Sequence, residues 1–335
     1  MSAENRTITY AAAINEALAQ EMEKDPEVLL LGEDIGAGGG IFTVTKGLYD
    51  RFGPHRVVDT PISEATFVGI GAGAALAGLR PVVELMFSDF ALVAADQLFN
   101  QVAKLQYLSG GELTVPFTLR TQQGIRNGGG SQHSQSLEAL FVHLPGFAVA
   151  MPFTAADAKG HTAAAIRMNS PAVVIEHKAL YFTRGEVPAG EHVVPFGHAA
   201  VRRHGTDVTL VSYSRAVQWC LDAADVLAAS RGIEADVIDL RTLAPLDFNT
   251  IERSIAKTHS VVVVHEASRT LGMGAELVAR ISEDCWDMLY SAPRRVAGLD
   301  IPIPYARSLE ERWLPQVDSV VESATAVVAA SAVRR

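Results

Sequence analysis

Short β-branched runs alternate along this chain with stretches of helical spacing, and few folds accommodate that order. Val28-Leu29-Leu30-Leu31, Val57-Val58, Val82 to Leu85, Val115 to Leu119, Phe147 to Met151 and Ala172 to Ile175 read as strands. Between them Ala11 to Glu23, Ala65 to Leu79, Asp96 to Leu108 and Ala155 to Met168 read as helices. Successive strand–helix–strand units call for crossover connections. The predicted fold class is therefore α/β, with mostly parallel sheets flanked by helices. The pattern then repeats: strands at Val208 to Val211, Ile233 to Ile238 and Val261 to Val264 enclose helices at Ala216 to Ala229 and Phe248 to Lys257. With 335 residues the chain exceeds one ordinary core. Two domains are expected, 1–185 and 204–335, joined by a Pro- and Gly-rich linker at 186–203.

Composition removes several functional classes. A formal net charge of −10 argues against a nucleic-acid partner, and the terminal Arg334-Arg335 pair is too short to reverse that. The longest apolar run, about 14 residues around Gly71, is too short and glycine-rich to span a bilayer. The start, Met1 to Thr9, is polar and lacks a signal-peptide core. Cys220 and Cys285 lack metal-like spacing and suit buried thiols in a reducing cytoplasm.

Chemistry concentrates in two places. Glu64 closes the stretch Thr60-Pro61-Ile62-Ser63-Glu64 and stands at the mouth of an apolar, small-residue helix with no further carboxylate until Glu84. A carboxyl poorly reached by water is a candidate proton donor or tight hydrogen-bond partner. His133 lies in the glycine-rich loop Gly124 to Gln135, too flexible a setting for a core residue. An imidazole exposed in a cleft there suits general acid–base work. Gly69-x-Gly71-x-x-Ala74 matches a dinucleotide fingerprint formally, but its first glycine is about ten residues past Val57-Val58, so close helix packing explains it better. Gly36 to Gly40 reads equally as a phosphate cradle or a surface turn.

Ten segments in order carry a family resemblance. They are Leu31-Gly32-Glu33-Asp34, Asp59-Thr60-Pro61-Ile62-Ser63-Glu64, Gly78-Leu79-Arg80-Pro81, Asp96-Gln97, Ala103-Lys104, Ser109-Gly110-Gly111, Gln132-His133-Ser134-Gln135, Asp157-Ala158-Lys159-Gly160, Asp239 to Asp247 and Pro302-x-Pro304-Tyr305. Over essentially its whole length the chain resembles the beta subunit of the thiamine diphosphate-dependent decarboxylating component of 2-oxo acid dehydrogenase complexes. Pyruvate, branched-chain 2-oxo acid and acetoin dehydrogenases are of this type. The resemblance implies a transketolase pyrimidine-binding domain followed by a transketolase C-terminal domain that provides dimer contacts and carrier docking. It implies that Glu64 hydrogen-bonds the cofactor's aminopyrimidine. Glu33, Ile62, Met86 and Phe90 would line that pocket, and His133 would approach the reacting carbon or the incoming lipoyl group. Glu84 and Asp89 are read as structural.

Family enzymes hold magnesium at the cofactor's diphosphate through a Gly-Asp-Gly segment and an Asn pair, and this chain has neither. The resemblance therefore implies an alpha subunit carrying that magnesium site, an α2β2 heterotetramer, and a lipoyl acyltransferase core as acceptor. Relatives with a structural potassium ion often carry Asp and Asn where this chain has Met168 and Ser170. Backbone carbonyls of Phe117, Ala165, Ile166 and Met168 are what remains to hold such an ion. The segments His177 to Tyr181 and Arg184 to Pro188 lean toward the acetoin and pyruvate branch. Competing expectations are an acetoin dehydrogenase beta subunit, a split transketolase-like carbon–carbon ligase, and a noncatalytic scaffold.

Overall fold

The computed structural model describes residues 5–332, so the Arg334-Arg335 pair and the first residues of the polar start lie outside them. The chain divides into two compact units. One holds the chain up to Gln123 together with Leu140–Phe196; the other holds Gly124–Ala139 and the chain from Gly197.

In the first unit, β1 (Asn5–Thr9) leads into α1 (Tyr10–Lys24), whose N-terminus is capped by the Thr9 hydroxyl accepting from the Ala12 N–H. The strands β2 (Val28–Gly32), β3 (Val57–Asp59), β4 (Arg80–Leu85), β5 (Thr118–Gln123), β6 (Ala148–Ala150) and β7 (Ala172–His177) follow in turn. The helices α2 (Leu48–Phe52), α3 (Glu64–Leu76), α4 (Ala103–Leu108), α5 (Glu138–His143) and α6 (Ala155–Arg167) intervene. The strand order is β6-β7-β5-β4-β2-β3, and every pairing is parallel. Strands β5 and β7 are buried throughout, as a parallel sheet covered on both faces requires. Ile14, Leu18 and Met22 of α1 join Leu30, Val57 and Val82 in the core.

Strand β5 begins at Thr118, later than the expected Val115 to Leu119. Its polar sequence hid it: Arg120 and Gln122 are buried because Arg120 meets Glu84 and Glu176 inside the sheet, each at 2.7 Å. The expected helix Asp96 to Leu108 is a π-helix over Asp96–Val102 that passes into α4. The residues read as linker begin inside β8 (Arg184–Pro188), which pairs antiparallel with β1. Glycine and proline dominated that reading, yet Val187 is fully buried.

The second unit contains β9 (Ala200–Arg203), β10 (Val208–Ser212), β11 (Ala235–Asp239), β12 (Thr242–Ala244), β13 (Val261–Ser268) and β14 (Arg294–Gly298). Its helices are α7 (Ala216–Arg231), α8 (Phe248–Thr258), α9 (Met273–Asp284), α10 (Arg307–Trp313) and α11 (Val317–Ala332). The sheet order is β14-β13-β10-β11-β9, parallel except for β9. Residues 200–203, placed in the linker from sequence, thus form a sheet edge. Asp247 caps α8 by accepting from the Thr250 N–H.

Candidate active site

Three neighbouring strands, β4, β2 and β3, end on the same edge of the first sheet, and the predicted acids follow those ends. The chain leaves β2 for β3 on one side and then crosses to β4 on the other. Ligands settle at the carboxyl edge of such a reversal. Gly32 closes β2 where a Cβ would stand 2.7 Å from the Glu84 carbonyl oxygen, so only glycine lets the strands approach this closely. Glu33 follows directly and is buried, with its Oε2 lacking a hydrogen-bond partner among the described residues. Burial first, then the charges of Glu64, Asp34 and Glu84, push its carboxyl pKa up to about 7.

Glu64 is the first residue of α3 and is 8% exposed. Its burial follows from the helix it opens. Phe67, Val68, Ala72 and Ala75 of α3 are buried, and a Cβ on Gly71 would come within 2.6 Å of Val83 and 2.9 Å of Phe117. The glycines thus bring α3 onto the sheet, and Gly69 to Ala74 lie inside the helix rather than at a strand-to-helix turn. Met86, just past β4, is buried, and Phe90, on a 3-10 turn over Ser88–Leu92, is half-buried. Ile62 is different: 77% of its surface is open in the single chain.

Glu84, read as structural from the sequence, is joined near this edge by groups that sequence reasoning passed over. Glu84 Oε2 accepts from Arg120 at 2.7 Å and its Oε1 from Gln122 at 3.2 Å. Burial raises the Glu84 pKa against the lowering effect of Arg120. Tyr181 donates to Glu176 at 2.5 Å, and its ring stacks on Phe42 at 4.6 Å. Lys178 is buried with its ammonium 4.8 Å from the centre of the Phe87 ring. The readable signal was a charged residue inside each of the buried strands β4, β5 and β7. The Gly36 to Gly40 turn is internally bonded, and the Gly36 N–H donates to Asp59 at 2.7 Å, a carboxylate where a phosphate was weighed.

His133 is exposed on the loop Gly124–Ala139, which belongs to the second unit. The four carbonyls considered for potassium all accept hydrogen bonds from within the chain. Phe117 accepts from the Ala172 N–H and Ala165 from the Met168 N–H. Ile166 and Met168 accept from the Arg80 guanidinium at 3.1 and 3.0 Å. Among the described residues, no three His, Cys, Asp or Glu side chains are grouped to hold a metal. Both cysteines are buried and free, and burial pushes the Cys220 thiol up to about 12, away from reactivity.

Comparison with known proteins agrees with this architecture. Residues 6–183 match the transketolase pyrimidine-binding domain and residues 197–320 the transketolase C-terminal domain. A split-gene transketolase, described as an inactive beta4 tetramer, superposes with a TM-score of 0.77 at 23% identity, covering 97% of this chain and 99% of that one. The fold is thus that of the two-domain transketolase class. The mitochondrial pyruvate dehydrogenase E1 component subunit beta-2 of Oryza sativa subsp. japonica is 43% identical over 96% of this chain and 87% of its own. The human mitochondrial E1 subunit beta is 42% identical, covering 94% and 89%. The Cupriavidus necator acetoin:2,6-dichlorophenolindophenol oxidoreductase subunit beta is 43% identical, covering 95% and 97%. The chain belongs to the family of beta subunits of 2-oxo acid dehydrogenase E1 components, which includes the pyruvate and acetoin dehydrogenase beta subunits.

Proposed function

We propose that this chain, joined to an alpha subunit, decarboxylates a 2-oxo acid with thiamine diphosphate and passes the acyl group to a lipoyl carrier. The observation that carries this reading is the buried Glu64 carboxylate opening α3 at the carboxyl edge of a parallel sheet. Glu64 adds to the raised pKa of Glu33, whose buried Oε2 lacks a hydrogen-bond partner among the described residues. A nitrogen-rich ring seated there would supply that partner, so the donor set fits an aminopyrimidine. When bound, thiamine diphosphate supplies the electron sink that lets carbon dioxide leave.

In this reading Glu64 holds a proton at the pyrimidine ring nitrogen, sheltered from water by its helix. Glu33 holds its own proton up to a pKa of about 7, because a second negative charge at this edge is opposed by burial and by Glu64. Met86 and Phe90 wall the pocket with apolar surface, and His133 acts on the acyl group or the incoming carrier. Ile62 completes the pocket where the partner chain closes over it. The alpha subunit supplies the magnesium and diphosphate site, in an α2β2 assembly bound to a lipoyl acyltransferase core. Free, buried Cys220 and Cys285 suit a reducing compartment such as the cytoplasm. Near-equal identity to pyruvate and acetoin relatives keeps acetoin cleavage as the second reading.

Glu64→Gln in the assembled pair should lower 2-oxo acid turnover by at least about 10²-fold, the scale of lost proton-transfer catalysis. Turnover near wild type would falsify the catalytic reading. A panel of pyruvate, branched 2-oxo acids and acetoin, with lipoyl domain or aldehyde as acceptor, separates the substrate classes and the ligase alternative.

A further inference from the structure

The loop bearing His133 is fastened at three points, all to the second unit. At its start, the Ile125 N–H donates to Glu266 Oε1 of β13 at 2.6 Å, and the Ile125 carbonyl accepts from Arg215 at 3.1 Å. The Ile125 side chain packs with Ile303 and Trp313. In its middle, the Gly128 N–H donates to both carboxylate oxygens of Glu310 in α10, at 3.0 and 2.9 Å. At its end, Tyr213 donates to Glu138 Oε1 at 2.7 Å. Glu310, Tyr213 and Glu138 are each at most 2% exposed, so these bonds are shielded from competing water.

The backbone between these points is unusual. Asn127, Gly128 and Gly130 have φ of 52°, 79° and 65°, in the left-handed region. A Cβ at Gly130 would stand 3.0 Å from the Tyr305 ring. A glycine-rich strand of this kind has high conformational entropy unless something outside it fixes it. The buried carboxylate of Glu310 supplies that constraint five residues before His133.

We infer that Glu310 and Tyr213 are positioning residues for His133. The C-terminal unit thereby sets the placement of this catalytic imidazole in addition to any role in assembly. The inference rests on the proposed role of His133 in acyl handling. A nucleophilic or acid–base group held loosely loses rate steeply, because a misplacement near 1 Å costs up to about 10²-fold.

The test uses the assembled α–β enzyme with thiamine diphosphate, magnesium and its 2-oxo acid, following acylation of a lipoyl domain. Glu310→Ala should lower kcat of acyl transfer by roughly 10- to 100-fold, with cofactor affinity unchanged because Glu64 lies in the other unit. Glu310→Gln, which keeps one oxygen to accept from Gly128, should recover most of the rate. Combined with His133→Ala, Glu310→Ala should add no further loss, since both act on one group. Tyr213→Phe removes a single hydroxyl and should show the same coupling if the Glu310 variant folds poorly. Additive losses, or equal damage from Gln and Ala at 310, would overturn the clamp while Glu64→Gln remains inactive. A fully active Glu64→Gln enzyme would instead overturn the function on which it rests.

Discussion

At the scale of single residues, the candidate site combines acids whose environments differ. Glu84 is paired with a buried arginine, whereas burial and the charges of Glu64, Asp34 and Glu84 push Glu33 up to about 7. A carboxyl raised in the folded state and ordinary in the unfolded state binds more protons when folded. Its unfavourable contribution is absent below the unfolded value of 4.5 and grows as pH rises through about 7. Glu33→Gln should therefore raise the thermal midpoint at pH 8 and leave it nearly unchanged at pH 4.5. A gain of equal size at both values would show that ionisation is not the cause. Glu64 was legible in the sequence because a small-residue helix follows it. Glu33 was reached only through the family resemblance, since its isolation depends on which strands lie beside β2.

At the scale of elements, α3 is apolar around most of its circumference, and helices of that kind are ordinarily buried all round. Its inner face meets the sheet, while Ile70 and Leu76, 54% and 40% exposed, stay open in the single chain. Gly71→Ala should destabilise by about 1–3 kcal/mol through overpacking against Val83 and Phe117. Gly73→Ala, with nothing within 4 Å of the new Cβ, should gain about 1 kcal/mol in the single chain. Urea unfolding of the two variants compares them directly. If the proposed alpha subunit covers this open face, Ile70→Glu should abolish copurification of the pair, and stoichiometric copurification would show that the face lies outside the interface. Across the same sheet, Arg80 ties β4 to the end of α6 through Ile166, Met168 and the 2.6 Å bond to Asn169. Exchanging potassium for sodium should leave the thermal midpoint unchanged. Arg80→Met, which strands these oxygens, should cost about 1–3 kcal/mol.

At the scale of the whole molecule, the proposed function has the chain supply one half of a cofactor site. The pyrimidine-binding domain match spans residues 6–183, yet the segment Gly124–Ala139 inside that range packs with the C-terminal unit. Sequence continuity and structural membership therefore diverge at the loop that carries His133. In the proposed assembly, calorimetric titration with thiamine diphosphate and magnesium should show binding at least about 10²-fold weaker to this chain alone than to the α–β pair. Tight binding by the isolated chain would rule out the divided site.

The alternation of β-branched and helical runs determined the α/β class, because periodicity is a local property of the side chains. The ordered motifs determined the family, and the isolated carboxylate before a glycine-rich helix marked the candidate edge. Tertiary structure alone decided the rest. Burial of Arg120 turned a polar segment into a central strand, and pairing with β1 drew the first three linker residues into β8. The carboxylate of Glu310 met a glycine 182 residues away in sequence. Such pairings depend on through-space charge and backbone partners, which spacing along the chain does not encode.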